Sequence, residues 1–431
     1  MPRVVILGAG FAGVQAAVEL EGLVAAPGSR GLEVLLVGEN NYFLFTPLLP
    51  QIASSYTNPR HIVQPVRDVR GRRRFRFRRD TVRSLDLAQR RVQLAGGALD
   101  YDFLVLALGS RTDYFNVRGA REHTRDFKSL QDAVELREAV IDLCEHADQT
   151  ADPAVRQRLL TFVVVGGGYT GVELIAELQD FLFGYVARHY RGIRREEIGL
   201  VLLEAMPEIL RGLHADLVRH ARRRLRAEGI AVRTGARVTC CFPGGVEING
   251  SETLAAETVI WCAGVRAHEL VESLPCEHDR RGRALVNGHL QLEPFPEVFI
   301  VGDSAAPATA PEAPQVGPVA IAQGRVAGRN VAHLLRGEPL ENYRYEQQGM
   351  LISLGMNHAV VSLAGLRFGG YFAWLLWNAV HLYKLVGLKK QVQVALDWSL
   401  ATVFPRDSSI VRRPRRCRLC DAGLPRSDSG G

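Results

Sequence analysis

The sequence predicts an α/β fold with two doubly wound parallel sheets, one interrupted in the chain by the other, and a C-terminal amphipathic helical section. Three observations predict it. A buried strand, a glycine-rich turn and an apolar helix pattern occur together at residues 3–20, RVVILGAGFAGVQAAVEL, and again at residues 161–178, TFVVVGGGYTGVELIAEL. A late apolar strand, EVFIVGDSAA at residues 297–306, runs into a second type of glycine turn. Residues 370–403 combine aromatic and apolar side chains with Lys384, Lys389 and Lys390.

At 431 residues the chain suits two domains plus extras. A hydrophobic content of 47% and a charged content of 23% are ordinary for a globular protein. Much of the net charge of +7 sits in two runs, RGRRRFRFRRD at residues 70–80 and RRPRRCRLC at residues 412–420. The seven cysteines are scattered apart from Cys240-Cys241 and Cys417/Cys420, which is no disulfide framework and suits a reducing compartment. The first strand begins almost at Met1, so no signal peptide is expected. No apolar run reaches the ~20 residues of a spanning helix. The expectation is a chain kept in the cytosol unless it is held on a membrane.

The elements follow in order. In the first βα unit, residues 3–39, Gly8, Gly10 and Gly13 form G-x-G-x-x-G. Such glycines permit a tight turn, a close backbone approach to a pyrophosphate and close packing of helix on strand. The helix N-terminus adds free N–H groups facing the phosphates. An acid at the end of the next strand would accept from a ribose 2′-OH. Glu39 is the candidate, although a turn-rich insert at residues 26–31 displaces it and Gly38 is an alternative occupant of that position. Residues 70–79 read as an edge strand with charges on its wet face, which discourages edge pairing. Attraction to anionic lipid is the second reading and nucleic acid the third.

Gly166, Gly168 and Gly171 repeat the fingerprint, and the strand at residues 200–203 runs into Glu204. A carboxylate there would accept from a ribose hydroxyl and repel a 2′-phosphate, favouring NADH over NADPH. Two fingerprints imply two dinucleotides, most economically a tightly held FAD and an exchangeable NADH. Glu173 follows Gly171 by two residues. It reads either as an acid favoured in the first turn of a helix or as a functional group, with Glu177 as a second candidate one turn on.

Residues 39–56, ENNYFLFTPLLPQIASSY, bring a family into view. Both fingerprints, the N-Y-F-L-F-T-P-L-L-P segment and the C-terminal features together resemble the type II NADH:quinone oxidoreductases, single-chain, non-pumping flavoenzymes, over residues 3–411. The resemblance implies an FAD domain at residues 1–112 and 285–344, interrupted by an NADH domain at residues 113–284. A membrane-associated section at residues 345–411 and a basic, disordered tail at residues 412–431 would complete the chain. It implies Thr46, Pro47 and Leu48 as flavin-side residues. Gly109 would close the first FAD segment, and Gly264 would approach the dinucleotide as in the family's A-A-G-V-R. Gly302 and Asp303 would form the second flavin motif, with the aspartate on a ribityl hydroxyl. Glu173 is implied near the nicotinamide–flavin contact as a proton-relay group. The family's A-Q-x-A-x-Q-Q-G helix lines its quinone pocket; here Pro318 and Ala322 replace two glutamines and Gln323 remains as the acceptor-side candidate.

The resemblance further implies transfer of two electrons from NADH through flavin to a membrane quinone, with residues 370–403 lying on the bilayer surface. The expected setting is the cytoplasmic face of a bacterial plasma membrane, as a homodimer, with no nucleic-acid partner and no metal. Residues 40–65 contain no cysteine, so no C-x-x-x-x-C pair stands against the flavin as in the disulfide reductases. A sulfide:quinone oxidoreductase would need reactive cysteines there, and Cys144 and Cys262 are the central candidates besides the 240/241 pair. The tail C-x-x-C lacks a second ligand pair nearby for zinc. A soluble NADH:electron-carrier reductase and an NADH-sensing flavoprotein are the competing readings.

Overall fold

The computed structural model describes residues 1–24, 32–69, 75–346 and 349–410. The insert at 26–31, the first part of the basic run at 70–74 and the tail at 412–431 lie outside these residues. The chain forms two compact units. The first gathers Met1–Leu44, Val63–Asp113 and Val265–Gln348, and the second gathers Phe45–Ile62, Tyr114–Gly264 and Gly349–Gly431.

The first unit is built on a six-stranded sheet, in the order Gln291–Leu292, Phe295–Ile300, Phe103–Leu106, Arg3–Leu7, Glu33–Gly38 and Arg76–Arg79. All its pairings are parallel except that of Gln291–Leu292. One register row crosses it as Phe299, Val105, Ile6, Leu36 and Phe77. Val4 to Leu7 are wholly buried, as a strand covered on both faces requires. Each such side chain contributes about 1.5–3 kcal/mol. Arg76–Arg79 is the edge strand that its charges predict, with Phe75 buried beside it. Helix Phe11–Val24 packs on helix Gly317–Arg336 so closely that a methyl group on Gly324 would lie 2.2 Å from the Ala12 carbonyl oxygen.

The second unit carries a five-stranded parallel sheet, ordered Arg125–Asp126, Thr258–Trp261, Thr161–Val165, Gly199–Glu204 and Ile230–Thr234. Its row runs Arg125, Ile260, Val164, Leu202 and Val232. Helix Leu130–Gln149 starts at a capping box between Ser129 and Asp132. Helix Tyr169–Phe181 follows the second fingerprint, and helix Ala215–Ala227 leads into the last strand. A three-stranded antiparallel sheet, Met350–Ser353, Ala359–Leu363 and Leu366–Gly370, then supports helix Tyr371–Lys384, on which helix Leu388–Val403 packs. Two segments thus group differently from the sequence division. Phe45–Ile62 belongs with the second unit, and residues 265–284 belong with the first.

Candidate dinucleotide and acceptor sites

The two fingerprints have matching geometry. Gly8 and Gly166 adopt φ of +106° and +109°, where an L side chain is strained. A methyl on Gly13 would lie 1.9 Å from the Gly8 oxygen, and one on Gly171 would lie 2.0 Å from the Gly166 oxygen, so both helices need glycine to approach their strands. Gly10 and Gly168 have nothing within 4 Å of where a methyl would stand. The backbone there borders open space at the start of a helix, as a pyrophosphate cradle requires. On these grounds the residues present fit FAD in the first unit and NADH in the second.

The strand-end acids differ between the two cradles. Gly166 N–H donates to the Leu203 oxygen at 2.7 Å, and Glu204 follows; Gly8 N–H donates to the Val37 oxygen at 2.8 Å, and Gly38 follows. Gly38 therefore occupies the position that Glu204 occupies, and Glu39 stands one residue beyond it, exposed. The reason is local. The middle fingerprint residue of the second cradle is Gly167, whose N–H donates to Glu204 Oε2 at 2.7 Å. In the first it is Ala9, whose methyl would lie 2.9 Å from any β-carbon placed on Gly38.

The remaining first-unit residues converge on one turn. Asp303 Oδ2 accepts from Ser110 Oγ at 2.5 Å, and Ser304 Oγ donates to the Gly109 oxygen at 2.6 Å. Gln323 is buried, and its Oε1 accepts from the Gly302 N–H at 2.7 Å. Its carbonyl thus holds the Gly302–Asp303 turn, a position that the glutamine pattern alone did not indicate. Pro318 sits in the first turn of helix Gly317–Arg336, where its missing N–H costs nothing. In the second unit, Gly264 lies under the Phe115 ring, 2.5 Å from where its methyl would be.

Helix Tyr169–Phe181 carries the acidic groups. Glu173 lies beyond its first turn, so it is no N-terminal cap; its Oε1 accepts from the Ser353 N–H at 2.8 Å. Glu177 Oε2 accepts from Ser54 Oγ at 2.7 Å, and Asp180 accepts from the Met356 N–H. Spacings of four and three residues place all three carboxyls along one face. Glu173 keeps some surface toward solvent but sits deep in the unit. Burial pushes its carboxyl up to about 8, against the Ser353 amide and the Trp377 indole, with Glu177 adding to the rise. Burial also raises Glu177, against the Arg406 charge and the Ser54 hydroxyl, and it raises Asp180, with Glu177 adding to the rise.

The T-P-L-L segment forms the short turn Thr46–Leu48, with Thr46 exposed and Leu48 buried, and continues into helix Leu49–Ala53. The C-terminal helices are tied to this segment. Trp398 Nε1 donates to Gln51 Oε1 at 2.8 Å, His61 and Asp397 pair at 2.6 Å, and Arg406 donates to the Ser54 oxygen at 3.1 Å. The sequence gives no sign of Gln51, Ser54, Trp398 or Arg406, because partners some 350 positions away in the chain leave no local pattern. His381 stacks on Trp377 at 4.0 Å and donates from Nδ1 to the Trp377 oxygen, as an ordinary helix side chain does.

The outer faces of these helices are apolar. Phe372, Leu375 and Tyr383 on the first, and Leu388, Val392, Leu396, Leu400 and Val403 on the second, are exposed. Among the described residues no helix is long and apolar enough to cross a membrane, and no group of acids, histidines and cysteines is arranged to hold a metal. Burial pushes the Cys144 and Cys262 thiols up, Cys262 to about 12, so both stay protonated and unreactive at neutral pH.

Comparison with known proteins then places the chain. Residues 2–324 match the family model described as pyridine nucleotide-disulphide oxidoreductase, and residues 347–407 match the NDH2 C-terminal domain. A type II NADH:quinone oxidoreductase of Mycobacterium tuberculosis is 31% identical over 425 residues, covering 94% of this chain and 89% of that one. The chain belongs to the type II NADH:quinone oxidoreductase family. A member from Staphylococcus epidermidis is 29% identical over 395 residues, covering 90% of this chain and 96% of that one. In fold, the NDH2 structure from Plasmodium falciparum in complex with NADH matches with a TM-score of 0.84 at 18% identity, over 95% of this chain and all of that one. A sulfide:quinone oxidoreductase from Aquifex aeolicus shares the fold with a TM-score of 0.74, also at 18% identity, over 94% and 96% of the two chains. Family membership makes FAD the cofactor and NADH the substrate.

Proposed function

We propose that this chain oxidises NADH and passes the electron pair, through bound FAD, to a quinone in the membrane without pumping protons. One observation carries the reading. The helix that opens at the NADH cradle continues into the Glu173, Glu177 and Asp180 row, which is bonded to Ser54, at the end of the helix that follows the T-P-L-L turn, and to the sheet beneath helix Tyr371–Lys384. Bound FAD supplies the two-electron redox chemistry linking nicotinamide to quinone. In this reading Gly8, Gly10, Gly13, Gly109, Gly302 and Asp303 hold FAD, and Thr46 and Pro47 are flavin-side residues carried over from the family. Gly166, Gly168, Gly171 and Gly264 admit the NADH backbone, and Glu204 takes its ribose hydroxyl. Gln323 positions the Gly302–Asp303 turn rather than the acceptor.

Glu173 is the proton donor to the quinone oxygen. A carboxyl raised to about 8 is mostly protonated at pH 7, so it holds a proton and can give it to a strongly basic reduced oxygen. Glu177 and Asp180, raised by the same burial, return the proton along the helix. The exposed apolar faces of helices Tyr371–Lys384 and Leu388–Val403 lie in the interface on the cytoplasmic side of a bacterial plasma membrane, and the quinone arrives from there. The homodimer is part of the same proposal.

Quinone-containing vesicles with a pH-sensitive dye inside test it. NADH should reduce the quinone with no response from the dye. Either a dye response coupled to NADH oxidation or a failure to reduce the quinone would overturn the reading.

A further inference from the structure

One face of helix Ala215–Ala227 carries Arg219, Arg222, Arg223 and Arg226 at helical spacing, while Leu217, Val218, Ala221 and Leu225 on the other side are buried. The four arginines line an open depression of about 420 Å³. Among the described residues Arg219 pairs with Asp216, whereas Arg222, Arg223 and Arg226 have no ion pair. Arg222 Nε is buried without a hydrogen-bond partner. Like charges at three- and four-residue spacing repel, so this face favours an anion that neutralises it.

The helix that carries the row packs on the C-terminal sheet. His220, between Arg219 and Arg222, lies against Gly369, where a methyl would come 2.8 Å from its Nε2. Gly369 lies at the end of strand Leu366–Gly370, which opens directly into helix Tyr371–Lys384. The first residues of that helix, Tyr371 and Phe372, are 51% and 77% exposed. The helix that carries the arginines therefore stands beside the strand that opens into the apolar face.

We propose that this arginine row binds the phosphate groups of anionic phospholipids in the membrane on which the C-terminal helices lie. The proposal rests on the membrane attachment inferred above. A guanidinium pairs with phosphate through two parallel N–H bonds, and several side by side match a layer of headgroups better than a single ion. Continuity with the apolar helices favours lipid over a free anion.

The test uses the purified flavoprotein and flotation with two vesicle types, phosphatidylcholine alone and phosphatidylcholine with about one third phosphatidylglycerol. The variant is Arg219→Gln/Arg223→Gln/Arg226→Gln, at three exposed positions outside the dinucleotide machinery. Its partition onto the acidic vesicles should fall on the order of 100-fold at low salt. Partition onto the neutral vesicles and bleaching of the flavin by NADH should be unchanged. Equal partition of wild type and variant onto acidic vesicles would overturn the proposal, and so would an equal loss on neutral vesicles. Abolition of the difference by about 10 mM inorganic phosphate, at ionic strength matched with chloride, would assign the row to a free anion instead. A wild type that floats with neither vesicle would remove the membrane attachment itself.

Discussion

Glu173→Gln separates the protonation of the carboxyl from its hydrogen bonding. The amide keeps an oxygen to accept from the Ser353 N–H but stays neutral at every pH. In the wild type, burial raises the folded-state value from 4.5 to about 8. Below pH 4.5 both folded and unfolded chains hold the proton, and the group costs nothing. Between 4.5 and 8 the unfolded chain releases it while the folded one retains it, so stability falls as pH rises. Above 8 the folded chain carries a buried charge and the loss is complete. At about 1.4 kcal/mol for each tenfold change in proton affinity, discounted for the surface that Glu173 leaves to solvent, the loss is on the order of 3 kcal/mol. Guanidinium unfolding followed by tryptophan fluorescence at pH 5 and pH 9 measures it. The variant should match wild type near pH 5 and exceed it by on the order of 3 kcal/mol at pH 9. In anaerobic rapid mixing, reoxidation by quinone should slow about 100-fold in the variant, with NADH bleaching changed far less. Parallel pH profiles for the two proteins would refute the raised carboxyl, and unchanged quinone reoxidation would refute its role as proton donor.

Three further substitutions test the cradles. Glu204→Ala should raise KM for NADH roughly tenfold, through one lost charged hydrogen bond, and narrow the preference over NADPH at nearly constant kcat in steady-state assays. Gly171→Ala places a methyl 2.0 Å from the Gly166 oxygen, so NADH should no longer bleach the flavin even though FAD stays bound and dithionite still bleaches it. Gln323→Ala leaves the Gly302 N–H without its acceptor, a cost of about 1–3 kcal/mol. FAD retention after gel filtration should drop at least tenfold, with NADH affinity unchanged.

The two fingerprints were legible because their requirement is local: a strand, a positive-φ glycine and a helix that must approach within a hydrogen atom's width. The edge strand was legible for a similar reason, since Arg76–Arg79 alternates charge with Phe77 and ends a sheet. Other features depended on tertiary partners. The helix begins at Tyr169, which removes Glu173 from the first turn and leaves Ser353 to fix its use. Phe45–Ile62 lies between strands of the first sheet in sequence but folds with the second unit, held by Gln51–Trp398 and His61–Asp397. Gly38 and Glu39 could not be ranked from spacing across the insert, and only the matching bonds of Gly8 and Gly166 set the register. The glutamine pattern makes Gln323 an acceptor-side candidate, whereas its carbonyl accepts from the Gly302 N–H, a bond that the pattern does not encode.

The most direct measurement is anaerobic stopped-flow absorbance of the flavin, with NADH in the first mix and a short-chain quinone in the second. Rapid bleaching, followed by full recovery of the oxidised spectrum at a rate that supports turnover, is the predicted result. Bleaching without recovery would contradict transfer to quinone, and no bleaching by NADH would contradict the second cradle.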